Sequence, residues 1–199
     1  MGYEWDESPD NGFAPPGLVK LSSTTVDVSP LYLQDYGNTY GTGIATHSLS
    51  LYRHGSGALV FGAGTVQWSW GLDSTHDGGF EPTDIRMQQA TVNLFADMGV
   101  QPTTLQPGLF SASKSDDTAA PTSTITWPQN GSTWEVGDTL VITGSATDAG
   151  GQLVGVEVST DSGQTWRRAT GQGNWTYAWT APATGSVSIQ SRAFDDSGN

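Results

Sequence analysis

Residues 58–73, ALVFGAGTVQWSWGLD, change character three times along sixteen positions. Ala58 to Phe61 is a short apolar run suited to a strand. Gly62-Ala63-Gly64-Thr65 then ends the strand in a turn, where glycines remove the Cβ atoms that would hold a neighbouring chain or ligand away. Trp68 and Trp70 follow two residues apart, with Gly71 behind them. Indoles bury a large area, and each carries an N–H that needs a partner. Two roles compete for this pair. They can plug the end of a sheet, as large aromatics mostly do, or wall a pocket at the carboxyl end of a strand, where open α/β sheets place their ligands. Trp68 and Trp70 are therefore the candidate ligand-binding residues.

Upstream of this stretch, residues 45–53 alternate, with Leu49 and Leu51 against Ser48, Ser50 and Tyr52. His54-Gly55-Ser56-Gly57 then turns the chain back, so residues 45–61 are expected to form a β-hairpin. Residues 18–28 read as one strand of mixed exposure, ended by Pro30. Residues 32–43, YLQDYGNTYGTG, read as an irregular loop. Downstream, Pro82-Thr83-Asp84 signals a helix start, with Thr83 as N-cap and Asp84 at the positive end of the dipole. The helix is expected over 84–98, stopped by Gly99 and Pro102. Ile85, Val92, Phe95 and Met98, and equally Met87, Ala90, Leu94 and Met98, line up at helical spacing, and both sets make a wide apolar face.

Beyond residue 105 the chain changes style. Residues 106–122 read as a linker rich in Ser, Asp and Ala. Six short strands follow, at 124–127, 139–146, 153–159, 165–169, 175–180 and 186–194, separated by Gly, Pro, Asn or Asp. That spacing predicts a β-sandwich of immunoglobulin type over 123–199, without the Cys-Trp-Cys signature. The closing Asp195-Asp196-Ser197-Gly198-Asn199 reads as a turn, so the sandwich is expected to lack its last strand. Residues 159–166, STDSGQTW, fit the Asp-box pattern S-x-D-x-G-x-T-W, a hairpin device in which the Asp side chain holds the turn.

Composition narrows the partners. Seven basic residues against twenty acidic ones give a net charge of −13, which argues against nucleic acid, because phosphate contacts need clustered Lys and Arg. Zero cysteines exclude thiolate metal sites and thiol nucleophiles. No apolar run approaches the ~20 residues of a membrane span. Only 14% of residues are charged, and Gly, Ser and Thr are abundant, a surface common in exported proteins. The expected location is extracellular, with any signal lying upstream, since MGYEWDES has no basic or apolar signal region.

The chemistry on offer is limited. Ser74, His76 and Asp77 are neighbours on one loop, whereas triad members converge from separate elements. A metal site at Asp73, His76, Asp77 and Glu81 stays open beside the reading of a solvated acidic loop. Asp116, Asp117, Asp148, Asp195 and Asp196 stand in linker or turn positions, as turn formers or as hard oxygen ligands for calcium. Glu4, Asp6 and Glu7 follow a strand-like start, where a carboxylate can serve as acid, base or orienting group.

GYEWD at 2–6, LSST at 21–24, HSLSLY at 47–52 and above all GAGTVQWSWGLD at 62–73 resemble the last third of the N,N-dimethylformamidase large-subunit type of domain. The resemblance covers residues 1 to about 105, and residues 121–199 are similar to bacterial Ig-like domains. It implies an α/β fragment, hairpin strands plus one helix belonging to a glutamine-amidotransferase-like sheet, followed by an all-β Ig-like sandwich. In that family an iron held by two tyrosines and a glutamate activates water against an amide. The resemblance places those ligands upstream, so none of Tyr3, Tyr32, Tyr36, Tyr40 and Tyr52 is taken as one. It implies no cofactor within this chain, iron in the parent domain, and Glu4 as the catalytic candidate, an acid near the metal. The parent's upstream and downstream domains are the expected partners. On this reading the chain is a piece of a larger exported bacterial protein, inactive alone. The alternative is a non-catalytic module that offers Trp5, Trp68, Trp70, Trp175 and Trp179 as stacking faces to polysaccharide.

Overall fold

The computed structural model describes residues 5–77 and 79–198. The chain divides into two compact units, one of Lys20–Lys114 with the described part of Met1–Pro9, the other of Asp10–Val19 and Ser115–Asn199.

β1 (Val19–Lys20) falls on the boundary between the units, and the first unit holds β2 (Thr24–Asp27), β3 (Tyr32–Gln34), β4 (Thr39–Gly41), β5 (Ile44–His47), β6 (Ser50–Arg53), β7 (Leu59–Gly62) and the α-helix α1 (Ile85–Asp97). The expected hairpin is present: β6 and β7 are antiparallel with Leu51 opposite Phe61, and the turn is closed from the His54 N–H to the Ala58 carbonyl. Residues 45–53 are two strands rather than one. β5 pairs with β2, setting Val26 opposite Ala45, while β6 pairs with β7. Between them Ser48 is buried, and the Leu49 N–H donates to Ser22 Oγ as the backbone passes from one sheet to the next. Residues 18–28 split for the same reason, into β1 and β2. Residues 32–43 are not irregular: β3 and β4 form a hairpin with Leu33 opposite Tyr40, and Asp35 takes a positive φ of 51° in its turn.

Helix α1 is capped by Asp84, not Thr83; the Asp84 carboxylate accepts the Arg86 N–H at 2.8 Å. Its buried face is Gln88, Val92 and Ala96, one residue per turn, while Ile85, Phe95 and Met98 stay exposed. Apolar spacing missed this face because its first member is an amide. Gln88 donates to the Leu72 carbonyl at 2.9 Å, and the Asp84 N–H donates to that of Gly71 at 2.9 Å, so the helix docks onto the tryptophan turn. Gly71 is needed there, since a Cβ would sit 2.2 Å from Met87 Sδ.

The second unit is a sandwich of two antiparallel sheets. β12 (Thr170–Gly171), β13 (Asn174–Thr180), β9 (Thr139–Thr147) and β8 (Thr122–Trp127) form one sheet in that order; β11 (Arg167–Arg168), β10 (Leu153–Ser159) and β14 (Gln190–Asp195) form the other. Alternation decides what goes inside. Leu140, Ile142 and Ala146 on β9 meet Val156 and Val158 on β10, with Trp175 of β13 in the same cluster. Trp175 stands opposite Gly144, and a Cβ at Gly144 would lie 2.1 Å from the indole and 2.4 Å from the Thr124 carbonyl. This glycine makes room for the largest core side chain. β14 begins at Gln190 rather than 186, and the fourth expected strand shrinks to Arg167–Arg168 because the preceding turn consumes Thr165 and Trp166.

In that turn the Asp161 carboxylate accepts the Thr165 N–H at 2.9 Å as well as the hydroxyls of Thr165 and Ser159, and Trp166 donates its indole N–H to the Gly163 carbonyl. Ser162 and Gly163 both adopt positive φ, 61° and 86°. These bonds, the Thr165 hydroxyl first, lower the Asp161 carboxyl to about 2. A depressed carboxyl contributes stability that is complete above its ordinary pKa and is lost as pH falls through the folded value. The melting temperature is therefore expected to fall between about pH 4 and about pH 2. Differential scanning calorimetry of Asp161→Asn should show a smaller acid-side drop. An identical drop would assign it elsewhere.

Candidate functional site

The tryptophan turn closes a cleft of about 540 Å³ within the first unit, walled by Trp5, His47, Trp68, Trp70 and Met87, with Glu81, Asp84 and Arg86 also lining it. Each wall is placed by the fold just described. The 3-10 turn Trp68–Gly71 follows β7 and is tied to α1, so both indoles are half-buried and line the cleft. Trp68 meets Phe61 edge to face at 5.5 Å and donates its N–H to Thr91 Oγ1 on α1 at 3.3 Å. Trp70 stacks on His76 at 4.6 Å, with the rings 10° from parallel. The pair packs against sheet and helix and also lines the cleft.

His47 lies opposite. It is buried, stacks on Trp5 at 5.1 Å, and shares a 2.8 Å hydrogen bond between Nε2 and the Ala63 carbonyl. Gly64, at φ 62°, lets this imidazole in, since a Cβ there would approach Nε2 to 2.8 Å. The glycine run therefore accommodates a side chain of its own unit. His47 went unassigned in the sequence, where the signal was its position two residues from buried Ala45 on the inward face of β5. At the rim, Arg86 and Asp84 form an ion pair that lowers the Asp84 carboxyl to about 2. Arg86 is largely exposed, so the pair counts as a fixed charge arrangement at the mouth more than as a source of stability.

Among the described residues of 73–81, the side chains expected of a triad or a metal site do not gather into one cluster. His76 Nδ1 contacts the Asp77 carbonyl oxygen at 3.0 Å, not its carboxylate, and Asp73 is used by the Thr75 N–H in a local turn. Among the described residues, the one group of His, Asp and Glu close enough to share an ion lies in the second unit. The Tyr32 hydroxyl donates to Glu7 Oε2 at 2.8 Å, which raises the tyrosine pKa, and Glu7 Oε1 accepts the Thr46 N–H. That tyrosine and carboxylate are spent on each other and on the backbone. Glu4 lies outside the described residues. Of the five tryptophans considered for stacking, Trp175 is removed: it is 1% exposed, in the sandwich core, and Trp179 packs against the same cluster.

Taken together, the chain joins a strand-rich unit with one helix and an indole-walled cleft to an immunoglobulin-type sandwich. Residues 1–84 match the family model described as N,N-dimethylformamidase beta subunit-like, C-terminal, and residues 121–196 match that of a bacterial Ig domain. The first match ends at Asp84, the cap of α1, and contains Trp68 and Trp70. No curated protein and no solved structure matches the chain. Among the described residues no helix is long and apolar enough to cross a membrane.

Proposed function

We propose that the first unit supplies the substrate-side wall of an amidohydrolase-like domain within a larger exported bacterial protein, and that the Ig-like unit spaces it from the next domain. The glutamine-amidotransferase-like sheet is part of this reading. The observation that carries it is the cleft: two half-buried indoles and a fixed Asp84–Arg86 pair make a binding wall. Iron, if the domain works as the family name implies, is held by residues outside this chain, and supplies a Lewis acid for the amide carbonyl. This chain's residues then bind and orient. Glu4 is the acid assigned to position water or a ligand.

The 199-residue chain, with or without added iron, is expected to release no dimethylamine from N,N-dimethylformamide. Release would overturn the assignment. In the full parent protein, Glu4→Gln should lower turnover about 10-fold to 100-fold with iron still bound, and Trp70→Ala should raise KM more than it lowers kcat. An unchanged rate in Glu4→Gln removes the role given to that residue. A second reading, binding of a neutral polysaccharide, is favoured by the half-exposed indoles beside the hydroxyls of Ser22 and Thr24. Retarded migration of the chain in a polysaccharide gel, abolished by Trp70→Ala, would support it over the enzymatic one.

A further inference from the structure

Three segments of the Ig-like unit meet at carboxylates. Asp117 precedes β8, Asp148 follows β9, and Asp195 ends β14; one oxygen from each lies within 4.8 Å of the other two. One oxygen of each is engaged locally. Asp117 Oδ1 accepts the Ala119 N–H, Asp148 Oδ2 accepts that of Gly151, and Asp195 Oδ1 accepts both the N–H and the hydroxyl of Ser197. These bonds hold the three carboxylates in their turns. Asp117 Oδ2, Asp148 Oδ1 and Asp195 Oδ2 are enclosed from solvent and accept no hydrogen bond at those atoms. Asp195 itself is 0% exposed, the most deeply buried carboxylate described in the chain.

A second feature is the space kept for them. A Cβ on Gly150 would come 2.1 Å from Asp117 Oδ1, and one on Gly151 would come 2.6 Å from Asp117 Oδ2 and 2.7 Å from Asp196 Oδ1. The two glycines give up side chains so that carboxylates can crowd the turn. Like charges brought together in a buried place need a proton or a cation between them. An ion among three oxygens within 4.8 Å of one another lies no more than about 2.8 Å from each, so a small inward movement of the side chains reaches the calcium range of about 2.3–2.6 Å. The donor set is all oxygen, which disfavours zinc, and irregular with a fourth carboxylate at hand, which suits calcium better than octahedral magnesium.

We propose that Asp117, Asp148 and Asp195 bind one calcium ion, which ties the entry to β8, the turn after β9 and the end of β14 into one cross-link of the Ig-like unit. The test uses the full 199-residue chain stripped by chelator. Calorimetric titration with calcium chloride should show one equivalent bound with a Kd at or below about 1 mM, the weak end for extracellular modules. The melting temperature should rise by several degrees in calcium and fall back on chelation. Asp148→Asn should weaken binding about 10-fold or more, while melting no lower than the wild type in chelator, because one of three repelling charges is gone. If Asp148→Asn does not fold, Asp117→Asn serves as the same test. The proposal is overturned if calcium produces neither heat nor a melting shift at about 1 mM, or if the aspartate variants bind as well as the wild type. A chelator-treated chain that is stabilised as pH drops from neutral, and ignores calcium, would also overturn it, by showing that a shared proton does the ion's work.

Discussion

Replacing Trp175 by alanine is expected to destabilise the Ig-like unit by about 3–5 kcal/mol, the cost of deleting a large buried aromatic. The indole is 1% exposed and touches both sheets of the core, over a glycine that has no side chain to fill the gap. Collapse of the site is hindered because the Thr124 carbonyl and the backbone of β9 already close the floor. A domain with the usual ~5–15 kcal/mol of stability would lose a large share of it. Urea unfolding followed by near-ultraviolet circular dichroism reads the effect, and a loss under about 1 kcal/mol would contradict the packing described. Trp175→Phe separates area from polarity. The indole N–H is enclosed and has no hydrogen-bond acceptor, so phenylalanine loses some contact area but also removes an unsatisfied donor. It should cost less than half as much as alanine.

Arg192→Ala is the second large effect. The guanidinium reaches Glu157 with both Nε and NH2 at 2.7 Å, and lies 4.0 Å from the centre of the Trp166 ring. The Glu157 side chain is only 7% exposed, whereas that of Arg192 is 32% exposed. Removing the arginine therefore leaves the more buried charge behind, and breaking such a pair costs about 3–5 kcal/mol. The lower end is expected, since Arg192 itself is partly solvated. The double change Glu157→Leu with Arg192→Leu should recover most of the loss, because an apolar pair of similar volume is often as stable as the buried ion pair. A double-mutant cycle measures this directly. Equal destabilisation by the single and double changes would show that the arginine acts through packing on Trp166 rather than through its charge.

Local chemistry was enough for much of this chain. Alternation in β9 and β10, glycine turns at 54–57, and the Asp161 turn are all properties of short sequence windows, because a period of two or a φ above zero is set within a few residues. The Ig-type sandwich followed from such windows, whereas the type of the first unit rested on a family resemblance. The helix was located by its start and stop signals, but its buried face was not, because Gln88 docks through an amide that no apolar count registers. The split of residues 45–53 between two sheets was equally hidden. Strand periodicity continues across Ser48 and Leu49, and only the partner on each side, β2 or β7, decides where one sheet stops.

The same division holds for the sites. Trp68 and Trp70 stood out as a pair in one turn, yet their shared cleft required α1 to return beside them and His47 to come across from β5. Trp175 resembled them in sequence and ended in the core, since its partner Gly144 lies 31 positions away on the neighbouring strand. Five aspartates in turns gave only a composition in the sequence. That three of them converge was decided by the sandwich, which brings positions 117, 148 and 195 together at the ends of separate strands. Short-range preference fixes what each residue can do; which residues meet depends on strand pairing between distant segments, and that is a property of the tertiary structure alone.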